Sequence, residues 1–226
     1  MQRRKILGLT ALFGLVTTPA HALEAWTSYE VRMPFDDAAS PGPHWVKLAN
    51  DLRYGPNYPG IGQVLVRVGP VWEVNPALTV ATHFTTNTER QWQKPFSQEL
   101  RLELEPTVRW RWGDVRASDR LRLERRMFFT ESRWRLRNRV QLNYQPDSWS
   151  WAPFLWNEVF LEDGVFNQNR ASVGVSLPVG TQASFRVGYL LRSREGNTSW
   201  DHTHALSMGF TFSPAVDPLI DDGPGI

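Results

Sequence analysis

Glu99-Leu-Arg-Leu-Glu-Leu-Glu105 alternates strictly between charged and leucine residues. Successive side chains of a β-strand point to opposite faces, so this period of two places Leu100, Leu102 and Leu104 on one face. Glu99, Arg101, Glu103 and Glu105 fall on the other. Arg120-Leu-Arg-Leu-Glu124 and Arg133-Trp-Arg-Leu-Arg137 repeat the pattern. They add Leu121, Leu123, Trp134 and Leu136 to the apolar face and more Arg and Glu to the polar one.

Working outward, the same period and the turn residues between runs predict about eleven strands. They fall near 24–33, 44–54, 61–74, 77–86, 96–112, 115–130, 133–144, 151–162, 165–177, 181–193 and 200–212. No segment shows a helical period. Asn75-Pro76, Gly113-Asp114, Gln145-Pro-Asp-Ser148 and Pro178-Val-Gly180 are predicted tight turns. Residues 87–95 and 194–199 are predicted longer loops at the other strand ends. That division predicts periplasmic turns and external loops. Single-chain bacterial barrels usually have an even strand count, which predicts ten or twelve wall strands.

The N-terminus carries Arg3, Arg4 and Lys5, then an apolar run Ile6 to Thr18, then Ala20-His21-Ala22. This order predicts a cleaved secretory signal over 1–22. Cleavage removes three of the 25 basic side chains and none of the 23 acidic ones, so the exported chain is close to neutral. The basic balance is therefore no argument for nucleic acid. Cysteine is absent, which excludes disulfides, thiolate metal sites and a Cys nucleophile. The barrel domain is predicted over 23–212, and a disordered, Pro-, Gly- and Asp-rich tail over 213–226.

A membrane barrel turns its apolar face outward; a soluble barrel turns it inward. Strand length points to the membrane, since residues 96–112 keep one apolar parity far beyond a soluble strand's ordinary five or six residues. Aromatics of that parity (Tyr54, Trp72, Phe84, Trp112, Phe129, Trp134, Tyr144) are predicted near strand ends, as girdles. The expectation is an all-β, antiparallel up-and-down transmembrane β-barrel of 10 to 12 strands, in a bacterial outer membrane. Its expected partners are outer-membrane lipid, the assembly machinery that inserts such barrels, and small anions. Neither nucleic acid nor a cofactor is expected. Arg125 has lipid-facing parity, which places it near an interface or beside a bulge; Asn50, Asn138 and Asn157 pose the same question.

The polar face collects Glu30, Arg32, Arg53, Arg67, Glu99, Arg101, Glu103, Glu105, Arg109, Arg111, Arg120, Arg122, Glu124, Arg126, Arg135, Arg137, Arg139, Glu158, Arg170, Arg186 and Arg192. Lysine occurs only at 5, 47 and 94. A planar guanidinium suits fixed pairing and carboxylate or phosphate recognition better than a flexible ammonium. The lumen charge network is assigned to Arg101, Glu103, Arg109, Arg111, Arg120, Arg122, Glu124, Arg126, Arg135, Arg137, Arg139, Glu158, Arg170 and Arg186. Two readings stand side by side: a narrow anion-leaning pore, or a barrel filled by its own ion pairs.

Four groups of residues resemble the bacterial outer-membrane barrel family catalogued as domain of unknown function twenty-four ninety. They are Asn50-Asp-Leu-Arg53; Arg67-Val-Gly-Pro70; Arg120-Leu-Arg-Leu-Glu-Arg-Arg126 followed by Trp134-Arg-Leu-Arg137; and the ordered pairs Asn157-Glu158, Asn169-Arg170 and Gly188-Tyr189. The resemblance implies fold and location, and carries no activity. Barrels of this kind often end on an aromatic residue of the last strand, a place that Phe210 or Phe212 would take ahead of the tail.

Enzyme readings are thin. A lipid hydrolase of the outer membrane is the alternative, yet no His-x-Ser pair occurs, and His204 and Ser207 have opposite parity. His83 has no evident partner. His202 and His204 share a face but are expected as rim residues, with no metal. A soluble periplasmic ligand-binding barrel is the other alternative.

Overall fold

The computed structural model describes residues 23–35, 42–55, 60–90, 96–196 and 199–214. The predicted signal segment 1–22 and residues 215–226 of the predicted tail lie outside the described residues. Eleven strands are present among the described residues: β1 Glu24–Pro34, β2 Trp45–Tyr54, β3 Ile61–Asn75, β4 Leu78–Glu89, β5 Ser97–Trp112, β6 Val115–Met127, β7 Ser132–Tyr144, β8 Ala152–Glu162, β9 Val165–Val179, β10 Ala183–Glu195 and β11 Trp200–Phe212. They close into one barrel in sequence order. Ten neighbouring pairs are antiparallel, and the closing pair is parallel, from Glu24 opposite Ala205 to Val31 opposite Phe212. The even count expected from parity is thus not met. Residues 24–34 form a full wall strand, and a parallel seam closes an odd-stranded sheet.

Polar side chains point inward and apolar ones outward. Glu103, Arg122, Glu124, Arg139 and Glu158 are buried, whereas Leu100, Leu102, Leu104, Leu123, Leu155 and Val173 are exposed on the outer wall. A soluble ligand-binding barrel needs the opposite arrangement. Strands of 10 to 16 residues are long enough to cross the apolar layer. Closure leaves no open sheet edge, which a lipid-embedded sheet requires.

The strand ends do not sort cleanly by loop length. At the end marked by Gly113, tight turns at 76–77 and 113–114 stand beside longer connections at 35–44 and 145–151. At the end marked by Gly164, residues 90–96 form a long connection, but β8 and β9 join through Asp163-Gly164 alone. Asp163 (φ 49°) and Gly164 (φ 85°) are both left-handed, the geometry of a two-residue hairpin that matches strand twist. Asp-Gly was the readable signal for this turn. Asn75 caps its turn by accepting the Ala77 N–H at 2.9 Å.

Aromatic rings gather at both ends. Trp110 and Trp112 stack, as do Trp149 and Trp151, with Tyr144 edge-on to Trp149, at the Gly113 end. Trp134, Phe166 and Trp200 lie at the Gly164 end. Phe84 does not belong to either girdle; it sits mid-strand, opposite Val68 and Leu102. The lipid-facing polar residues pair across strands. Asn157 and Asn169 exchange amide hydrogen bonds at 3.1 and 3.2 Å. Asn138 donates to Asp119. Arg125 keeps its outward parity with no bulge and lies two residues from the end of β6.

Of the described glycines, Gly69 leaves the least room for a side chain. A Cβ there would meet the Thr82 carbonyl oxygen at 1.9 Å. Pro70 next to it has no N–H to donate, and the ladder between Val68–Phe84 and Val71–Ala81 is interrupted. Gly69→Ala is expected to destabilise the barrel by at least about 1–3 kcal/mol, the ordinary scale of overpacking. The loss would be read as a lower temperature at which the folded, fast-migrating gel band converts to the unfolded one; an unchanged temperature would refute the close approach.

Candidate functional site

Strands β5 to β8 supply the centre of the lumen because each presents charges of one parity inward. Eleven buried cations face eight buried anions among the described residues. Glu158 gathers the most arginines. It accepts from Arg120 at 3.0 Å, from Arg137 at 2.9 and 3.0 Å, and from Arg139 at 3.2 Å, with Arg170 at 4.0 Å. Glu124 takes Arg137 at 2.9 Å and also Arg135. Glu103 takes Arg67 at 2.8 Å and stands 3.6 Å from Arg122, which also binds Glu105. Paired two-atom contacts such as Arg137–Glu158 fix the guanidinium plane. Burying such charges is tolerable only because nearly every one has a partner.

Nearer the Gly164 end, Glu99 receives Arg101 at 2.7 and 2.8 Å and also Arg126. Arg126 reaches on to Glu162 at 2.7 Å. Above this layer is a cavity of about 110 Å³, lined by Arg53, Arg101, Arg126, Arg135, Arg137, Arg170, Arg192 and Arg194. Among the described residues its lining carboxylates are Glu89 and Glu162, with Phe160, Leu65, Gln63, Asn87, Asn167 and Gln168 beside them. Glu99, Glu124 and Glu158 beside the cavity pair Arg101, Arg126, Arg135, Arg137 and Arg170, but the lining itself is mostly cationic, a field that favours negative solutes.

Of the fourteen residues assigned from sequence, eleven meet in these two layers: Arg101, Glu103, Arg120, Arg122, Glu124, Arg126, Arg135, Arg137, Arg139, Glu158 and Arg170. Arg186 is buried apart from them, over the Phe154 ring at 5.4 Å. Arg109 and Arg111 lie towards the Gly113 end, where Arg111 is exposed and donates to the Gly113 carbonyl at 3.1 Å.

Sequence reasoning missed the aromatic part of the lumen. Trp26, Phe154, Trp156 and Phe160 point inward among the charges. The Trp26 indole donates to Glu24 at 2.7 Å, and Arg53 sits 3.9 Å above its ring, with Arg170 and Arg192 at 5.2 and 5.4 Å. Arg139 lies 4.2 Å over Trp156, and Arg170 4.6 Å over Phe160. These rings fit because β9 to β11 present small residues opposite them: the Phe154 ring lies where a Cβ on Gly174 or Gly188 would go. Parity was the available signal, since Trp156 and Phe160 share the parity of Glu158, and Trp26 that of Glu24 and Glu30. Lys47 was missed too; it pairs with Glu30 at 2.9 Å.

His83 is buried, with Nδ1 3.9 Å from the Glu103 carboxylate, a neighbour its sequence context did not reveal. Ser207 points inward and donates to the Gly188 carbonyl at 3.1 Å. His204 points outward and bonds the Tyr189 hydroxyl, while His202 contacts Ser193 at 2.9 Å.

The family described as "Protein of unknown function (DUF2490)" matches residues 23–203, nearly the whole barrel. The chain belongs to this family. The arginines and glutamates of the motifs quoted above project into the lumen except Arg125, which faces outward with Asn157, Asn169 and Tyr189. No curated protein matches the chain. A solved structure titled "NanC porin structure in rhombohedral crystal form" is similar, with a TM-score of 0.50 and 12% identity, covering 85% of this chain and all of that one. At that identity the likeness speaks for the fold alone: a porin-like barrel.

Proposed function

We propose that the chain is an outer-membrane barrel that receives small anions in the arginine cup at its Gly164 end and passes them slowly through a salt-bridged constriction. The carrying observation is the cup itself, eight arginines against two glutamates around one cavity. Rings of fixed charge select ions by sign. The constriction below, centred on Glu158, Glu124 and Glu103, makes the path narrow and keeps conductance small.

A planar bilayer with a salt gradient tests this. Small steps with a reversal potential on the anion side are expected. Arg192→Gln with Arg194→Gln, at the mouth of the cup, is expected to lower the anion-to-cation permeability ratio severalfold. Cation preference, or a ratio untouched by the double substitution, would overturn the reading. A second reading, a structural barrel with a closed lumen, is favoured by the density of ion pairs in the middle layer. Folded protein that yields no channel events would favour that reading and sink the pore.

A further inference from the structure

The outer wall carries a groove of about 600 Å³ that ends on a cation. Val68, Phe84, Leu102, Arg125 and Trp134 stand opposite one another in register across β3 to β7. Because the strands of a barrel are tilted, such a row climbs the wall. It starts mid-strand at Val68 and reaches the rim at Trp134, two residues into β7. Arg125 is the one arginine of lipid-facing parity in these five strands. Its guanidinium lies 5.0 Å over the Trp134 ring and donates through Nη2 to the Ser132 hydroxyl. Those two contacts hold it in place and use few of its five N–H donors. Near the interface a lipid-facing arginine costs little, and it meets a layer rich in phosphate.

We propose that this groove binds one phosphate-bearing glycerolipid, with its phosphate on Arg125 and one acyl chain along the floor formed by Phe84, Leu102 and Leu104. Charge complementarity selects the occupant. An apolar channel that leads to a fixed guanidinium matches an acyl chain that leads to a phosphate, and the pre-stacked arginine is poised for paired N–H···O contacts.

Native mass spectrometry of the delipidated full-length protein, released from a neutral detergent, tests it with phosphatidylglycerol and with diacylglycerol of the same acyl chains. The wild type is expected to retain one phosphatidylglycerol about tenfold more tightly than diacylglycerol, the scale of a hydrogen bond to a charged group. Arg125→Gln is expected to erase that preference. Arg90→Gln, which removes another exposed arginine at the same end, is expected to keep it. Leu104→Trp, which fills the floor and leaves the cation, is expected to weaken both lipids, and it tests the site even if Arg125→Gln does not fold. Equal retention of the two lipids by the wild type, an unchanged preference in Arg125→Gln, or unchanged binding in Leu104→Trp would each overturn the proposal.

Discussion

Replacing Glu158 by glutamine is expected to destabilise the barrel by about 3–5 kcal/mol, the cost of removing one partner from a buried ion pair. The side chain keeps its size, so the loss comes from charge. Arg120, Arg137 and Arg139 all donate to this carboxylate, and Arg170 lies 4.0 Å away. Without the anion, four guanidiniums repel one another in a site where Glu158 is 1% exposed. The midpoint of urea unfolding in detergent would read the effect. Glu131→Gln is the natural control, because Glu131 meets Arg133 on the surface, where solvent screens the pair. A loss at Glu158 of less than about 1 kcal/mol, the range of exposed pairs, would mean that water fills the lumen and solvates the charges.

The second large effect is expected at Trp26. Trp26→Ala removes a ring that is 0% exposed and packs with Phe154, Trp156 and Leu190. Truncating a buried aromatic costs about 3–5 kcal/mol. The substitution also takes the π-face from Arg53 and leaves Glu24 without the indole N–H. Trp26→Phe keeps the face and loses only the donor, so it is expected to cost much less. The same unfolding measurement separates the two; equal losses would assign the stability to the hydrogen bond rather than to the ring. In the bilayer, Trp26→Ala is expected to raise conductance, since the ring plugs the lumen beside the small-residue wall of β9 to β11.

The wall was legible because period two states which side each residue faces, and the predicted strands match those observed to within a few residues. The lumen was legible only as a list. Parity placed Glu158 and Arg139 on one face but could not say that Glu158 would gather arginines from β6, β7 and β9, because the pairing depends on how far neighbouring strands are staggered. The inward aromatics escaped a reading that weighed only the rings of apolar parity. Whether Trp156 faces in or out is fixed by its phase with Glu158, not by its hydropathy. The eleven strands were legible, but their closure was not: parity rules assume antiparallel closure, and nothing local in residues 24–34 announces a parallel partner more than 170 positions away.

That parallel seam gives the chain an odd number of crossings. A chain that crosses an odd number of times leaves its two flanks in different compartments. Glu24 therefore stands at the rim into which the arginine cup opens. Phe212 stands at the opposite rim. Probes attached beside Glu24 and beside Phe212 would start from opposite rims of the wall.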